Sequence, residues 1–367
     1  MMQEFLSNQL SLDSYNGYSD AFWMKLTGNL ANPETLTLYL TLNFDEQWLS
    51  LLNGRIKFGL KGGELQLQLE NSHLTAASEG LGSFFCVTTT DSQTHPTWQF
   101  TINPPDAVLK GLVEKAQLGT FQVTGYPSRI TATFGVSPSH IYLTDAEGLW
   151  LHDVNPNQHA ILTTKLVHFL CETEFKPYIS WAQIGVKCPT ISPSLPQKDE
   201  KAIASDSQQL QSLIGEITQA KTADFLSLAS LAGLDPKQDF AGANLLGAIL
   251  DNLDFSGANL SSANLRGAEL NDTDLSGANL SRVNLRGADL SGAYLSNADL
   301  SFSDCSKSSL ALANLSEANL QGANLEEVNL TNTNLSGANV EGAIFSTNAG
   351  LSEEMKQNLT ERGAVIN

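Results

Sequence analysis

Residues 255–280 read FSGANLSSANLRGAELNDTDLSGANL. Phenylalanine or leucine stands at 255, 260, 265, 270, 275 and 280, one at every fifth residue. An α-helix returns a side chain to the same face about every 3.6 residues and a strand about every second one. A period of five belongs to neither. The register runs without a slip from Phe240 to Phe345, which makes 22 units. Their central residue is Leu in 17 cases; Phe240, Phe255, Cys305, Val340 and Phe345 fill the rest. Ala stands two positions earlier in 14 units, the residue between the two is mostly Asn or Asp, and Gly is frequent two positions after the centre. One large and one small apolar residue at a fixed period is a solenoid pattern. If each unit forms one side of a coil, the central residue points to the axis. The Ala also points inward, where the neighbouring wall leaves little room. The remaining positions face water, and Gly supports the tight corner.

Units such as FSGANL, SSANL, LRGADL and LQGANL resemble the pentapeptide repeat family, over about 110 of the 367 residues. The resemblance implies a right-handed quadrilateral β-helix with twenty residues to a turn. At the strand spacing of about 4.8 Å, the units would make a rod of roughly 26 Å. Tube ends need covers, because they expose unpaired backbone and core leucines. Thr222–Leu234, with Phe225, Leu226, Leu228 and Leu231, reads as a short helix. At the other end Ser352 opens SEEMKQNLTERG, with acids in its first turn, Met355 and Leu359 one turn apart, and Gly363 as a stop. Both flanks resemble the caps of family members.

Residues 15–190 read as strands. Thr35–Phe44 alternates Leu36, Leu38, Leu40, Leu42 and Phe44, and Arg55–Glu70 alternates on either side of Gly62-Gly63, a hairpin signal. Further strands are expected in SFFCVTT, TWQFTI, GTFQVTGY, RITATFGV, HIYLTD, TKLVHFLCE and YISWAQIGV, nine or ten in all, with a helical turn or two at Val108–Ala116. The stretch Pro189–Ser207 reads as a linker, and SQQLQSLIGEITQA carries Leu210, Leu213, Ile214 and Ile217 at helical spacing. The expected fold class is all-β with two domains. An antiparallel β-sandwich or jelly-roll-like domain spans 1–190 and a linker with a short amphipathic helix spans 191–221. The pentapeptide-repeat β-helix with its helical caps spans 222–367.

Composition narrows the function. The chain carries a net charge of −19, and residues 239–345 hold thirteen acids against four bases. Phosphate backbones demand the opposite sign, so direct nucleic-acid binding is not expected. No apolar run reaches membrane-spanning length, and MMQEFLSNQL lacks a basic segment followed by a hydrophobic one, so neither membrane insertion nor a secretory signal is expected. Cys86, Cys171, Cys188 and Cys305 are scattered, which fits a reducing cytoplasm better than a disulfide framework. None of the six histidines forms HxH or HExxH; the pair His152-Asp153 with His159 is the one grouping near enough in sequence to converge. No P-loop, GxGxxG or GxSxG occurs. No metal or cofactor and no enzymatic activity is expected.

Residues 20 apart should stack on one face of the coil. Ser256, Ser276, Ser296, Ser316 and Ser336 then form a ladder. Asp251, Asp254, Glu269, Asp272, Asp274 and Asp289 fall on two adjoining faces, with Arg266, Arg282, Arg286 and Lys307 on the other side. The segment SFSDCSKSSLALANL (301–315) breaks the consensus most, setting Phe302 and Leu312 outward, Leu312 diagonally above the outward Tyr294. Leu246 and Ile249 are expected to be covered by the helix over 222–234. Tyr294, Phe302 and Leu312 with the six acids are the candidate protein-binding residues. The resulting expectation is a non-catalytic adaptor, scaffold or regulatory protein with a protein partner. The alternatives are a DNA mimic acting on a type II topoisomerase, for which the acids speak, and glycan or small-molecule binding or catalysis in the N-terminal half. Trp23, Trp48, Trp98, Trp150 and Trp181 could there supply a stacking platform.

Overall fold

The computed structural model describes residues 10–77, 85–90, 95–102, 108–150, 154–186 and 200–367. The chain folds as two compact units: residues 1–147 with 169–207, and residues 148–168 with 208–367.

The first unit contains thirteen described strands. They are β1 (Leu10–Asn16), β2 (Phe22–Asn32), β3 (Thr35–Phe44), β4 (Gln47–Leu51), β5 (Gly54–Leu60), β6 (Gly62–Glu70) and β7 (Ser72–Ala77), then β8 (Phe85–Thr90), β9 (Thr97–Ile102), β10 (Gly111–Val123), β11 (Ser128–Gly135), β12 (Ile141–Glu147) and β13 (Ser180–Val186). Three antiparallel sheets result, ordered β1-β13-β11-β6-β9-β8, β2-β3-β10-β7 and β12-β5-β4. The alternation in β3 has its physical cause in one buried face, since Leu36, Leu38, Leu40, Leu42 and Phe44 are all inaccessible. From the four-stranded sheet, Phe22 stacks on Phe134 of the six-stranded sheet at 4.2 Å between centroids, and Phe44 meets Phe100 and Phe134 at 6.2 and 6.0 Å. On the three-stranded sheet, Phe58 joins Tyr18 and Phe175.

Three expectations for this half are corrected. Gly62-Gly63 is no hairpin turn, because β5 and β6 pair into different sheets. The glycines answer to crowding: a Cβ at Gly62 would lie 2.4 Å from the Phe100 carbonyl oxygen, and one at Gly63 would lie 2.2 Å from the Phe134 ring. The segment 108–116 is not helical, since β10 begins at Gly111. TKLVHFLCE is not a strand but part of helix α1 (Pro156–Thr173). Its buried residues Ile161, Leu162, Leu166, Leu170 and Cys171 recur at helical spacing. The Asn155 side chain accepts from the Gln158 N–H at 2.9 Å while Gln158 Oε1 accepts from the Asn155 N–H at 3.1 Å, a reciprocal cap after which Pro156 sets the first turn. The division between units falls inside this helix, after His168. Of the expected linker, 189–199 lies outside the described residues, and 200–207 belongs to helix α2 (Glu200–Gln219).

In the second unit the five-residue period becomes a ladder. Residues 20 apart form parallel bridges, such as Asn259 with Asn279 and Asn279 with Asp299. Four faces follow, with rungs centred on 240, 260 and onward, on 245, 265 and onward, on 250, 270 and onward, and on 255, 275 and onward. The central residues and the Ala positions line the interior; Leu260, Leu265, Leu270, Leu275 and Leu280 are 0% exposed. Each corner takes a left-handed backbone, at Gly257 (φ 66°) as at Asp272 (φ 53°). Glycine is common there for that reason.

Helix α3 (Phe225–Ala232) closes the first coil, with Phe225 at 5.1 Å from Phe240 and 5.9 Å from Phe255 between ring centroids. Residues of α1 add to this cover. The Asn157 amide donates to the carbonyls of Ala223 and Ile249, both at 2.9 Å, and accepts from the Ile249 N–H at 2.8 Å, standing in for a missing rung. Gln158 donates to the Ile217 carbonyl, and the His168 ring meets the Asp239 carbonyl at 3.2 Å. At the far end the short strands β14 (Asn324–Glu326), β15 (Ile344–Ser346) and β16 (Val365–Ile366) pair in parallel. Helix α4 (Glu353–Glu361), capped by the Ser352 hydroxyl, buries Leu359 there.

Candidate functional site

The corner between the third and fourth faces is built by Asn252, Asp272, Gly292, Leu312 and Asn332, one above the other. Leu312 is 66% exposed and sits at φ 61°. An αL backbone costs a non-glycine residue about 1 kcal/mol, and exposure of its side chain returns nothing. Tyr294, 53% exposed, begins the fourth face one coil below. It bridges Asp274 beneath it and Asn314 above it, and Leu312 lies two residues before Asn314. The chain therefore sets Tyr294 and Leu312 diagonally next to each other.

The six acids surround the same corner. Glu269 and Asp289 bridge on the third face, Asp254 and Asp274 bridge on the fourth, Asp251 lies on the third face, and Asp272 forms the corner. Asp272 leans into the space that Gly292 leaves open, where a Cβ would lie 2.3 Å from its Oδ1. Several carboxylates are tied locally. Asp251 accepts from the Asn271 backbone at 2.7 Å, Asp274 from the Ser276 N–H at 2.9 Å, and Asp289 from the Ser291 N–H at 3.1 Å. Asp254 accepts from the Ser256 hydroxyl at 2.6 Å and backbone at 2.9 Å and pairs with Lys237 at 3.2 Å. Those hydrogen bonds, Ser256 first, hold its pKa down at about 2. Its charge is the one at this corner already met by a cation among the described residues.

Phe302 is exposed but stands elsewhere, at the corner between the first and second faces, diagonally across the coil. Its ring lies 5.3 Å from the Arg282 guanidinium one coil below and fills the space over Gly322. Leu246 and Ile249 are corrected: they are 52% and 46% exposed, because α3 covers the interior phenylalanines while Asn157 takes only the Ile249 backbone. The irregular segment also places Ser303, Cys305 and Ser308 inside the coil, where the Ser303 hydroxyl lies 3.3 Å from Cys305 Sγ. Burial pushes that thiol up to about 12, so it stays protonated. In the serine ladder, Ser296 donates to Ser276 at 3.3 Å.

In the first unit, Trp98 and Trp181 are buried and Trp48 lies under the Arg55 guanidinium at 4.4 Å. His152 and Asp153 lie outside the described residues; His159 meets Trp150 edge-on at 6.0 Å, and burial lowers its pKa. No group of three or more His, Cys, Asp or Glu among the described residues is placed to hold a metal ion. No helix among them is long and apolar enough to cross a membrane.

Comparison with known proteins places the coil. A family described as pentapeptide repeats matches residues 239–277, 278–311 and 308–346, in eight copies. Among solved structures, the pentapeptide repeat protein Rfr23 from the cyanobacterium Cyanothece 51142 is 35% identical, over 26% of this chain and 63% of that one, with a TM-score of 0.20. A pentapeptide repeat protein from Nostoc Pcc 7120, alr5209, is 36% identical over 31% of this chain and 84% of that one, with a TM-score of 0.14. HetL, a pentapeptide repeat protein involved in heterocyst differentiation regulation in the cyanobacterium Nostoc sp. strain PCC 7120, is 25% identical over 35% and 80%, with a TM-score of 0.17. No curated protein matches the chain.

Proposed function

The chain belongs to the pentapeptide repeat family, and from that premise we propose that it is a non-catalytic adaptor whose coil binds a protein partner at the corner carrying Tyr294 and Leu312. One observation supports this most. Leu312 combines an unfavourable backbone with an unburied apolar side chain at a position where glycine serves the fold better. Local strain kept without a packing return is a mark of function. The acids around it steer a basic partner at a distance, and the two apolar groups supply the contact once water is excluded. Such binding weakens with added salt, because exposed charges are screened beyond about 8 Å at physiological ionic strength. The test is affinity capture from the native host with the full chain and with the double variant Tyr294→Ser/Leu312→Ser. The reading expects proteins that are retained by the parent chain and lost from the double variant. Equal yields of the same proteins from both would refute it.

A further inference from the structure

The far end of the fourth face holds an unfilled rung, next to Asn332 and one coil beyond Leu312 of the corner just described. On this face each rung is hydrogen-bonded to the next in one pattern. The central N–H of Phe255, Leu275, Leu295 and Leu315 donates to Asp274, Tyr294, Asn314 and Asn334 at 2.7–2.8 Å. Two residues on, Gly257, Gly277, Asn297 and Glu317 donate to Ser276, Ser296, Ser316 and Ser336 at 2.8–2.9 Å. The carbonyl at the inward small position, as in Ala293 and Ala313, accepts from the rung above at 3.0 Å.

At the last rung the pattern stops. Among the described residues the N–H groups of Leu335 and Gly337 reach no acceptor, and the Thr333 carbonyl receives no donor. The other faces are each met in part, although among the described residues the N–H groups of Asn332 and Val340 also reach no backbone acceptor. Leu330 donates to Ala349 at 2.8 Å, Gly342 donates to Gly363 at 2.9 Å, and β15 pairs with β16. Leu335 is 7% exposed, whereas Leu275, Leu295 and Leu315 are 0%. Helix α4 stands across from this edge, leaving a groove of about 470 Å³ between the rung and Glu354, Met355, Asn358, Leu359 and Arg362. Arg362 braces one side by donating to the carbonyls of Leu335 and Ala338.

We propose that this groove takes an extended segment of a partner polypeptide as an added parallel rung. One partner residue donates its N–H to the Thr333 carbonyl and accepts from Leu335; the carbonyl two residues later accepts from Gly337. The four rungs below display this same arrangement, so the occupant is set by the ladder itself. Backbone pairing makes recognition tolerant of sequence.

Panning a phage-displayed library of random linear peptides on the full chain, followed by amide hydrogen exchange of the parent protein with each enriched peptide, tests this. In the free protein, Leu335 and Gly337 are expected to exchange at least about tenfold faster than Leu315 and Glu317. Enriched peptides slow those two amides, and Asn358→Trp, which fills the groove, weakens them by about tenfold or more. Failure to enrich any peptide, enriched peptides that leave both amides unprotected, or amides already as slow as those of Leu315 and Glu317 would each overturn the proposal. Peptides that protect the backbone around Tyr294 instead would overturn it too, while favouring the corner.

Discussion

Leu312 shows how a single position can serve two ends that pull apart. Its φ of 61° suits glycine, and its side chain lies mostly in water. Leu312→Gly is therefore expected to stabilise the coil by about 1 kcal/mol in urea unfolding while abolishing partner capture. A loss of stability would show that the leucine packs, and would remove the strain on which the functional reading leans. Asp254 offers a test of the local electrostatics. Its folded pKa is depressed to about 2 from an ordinary value near 3.8, so its contribution to stability is present above that ordinary value and is lost as the pH falls toward 2. A carboxyl NMR titration should give a midpoint near 2, and Lys237→Met should move it upward, though only in part because Ser256 remains. A midpoint unmoved by the substitution would mean that the ion pair is absent in solution.

At the scale of elements, the cover of the first coil depends on one amide. Asn157 makes two hydrogen bonds to Ile249 that a rung below would otherwise have made, and a third to the Ala223 carbonyl. Asn157→Ala leaves both polar groups of Ile249 unpaired and is expected to cost about 1–3 kcal/mol. Urea unfolding checks the cost, and faster amide exchange at Ile249 locates it; unchanged stability would mean that α1 plays no part in capping. The sequence showed the coil in full because its period is local: the same five positions recur, and every inward residue announces itself by size. It showed α3 and α4 through caps and spacing. It concealed α1, since His168 and Lys165 interrupt the apolar pattern enough to pass for strand alternation. The signal that marks the helix is Asn155-Pro156 followed by Gln158, a capping start motif. Sheet pairing in the first unit was out of reach, because Gly62 and Gly63 look like a turn and are in fact room for Phe100 and Phe134. For the candidate site, the outward positions of Tyr294, Phe302 and Leu312 were legible from register alone. The grouping was not, since only the stack of coils separates Phe302, with Arg282, from the other two.

At the scale of the whole molecule the chain carries −19, and six of the thirteen acids in residues 239–345 gather around one corner. Acids crowd the third face and its corner with the fourth, while Arg266 and Arg286 lie on the second face and Arg282 on the opposite corner. Such polarity orients an approaching basic partner before contact. Every face, corner and open rung follows from residues 20 apart being neighbours. Paired cysteines measure this directly, because a disulfide needs Cα atoms about 4.4–6.8 Å apart. Asn279 and Asp299 bridge in parallel, whereas Asn279 and Asp289 stand on opposite faces. Under mild oxidation, peptide mapping of the variant Asn279→Cys/Asp299→Cys should recover the linked pair in high yield, with none from Asn279→Cys/Asp289→Cys. Equal yields from the two variants, or a link only in the second, would contradict a coil of twenty residues.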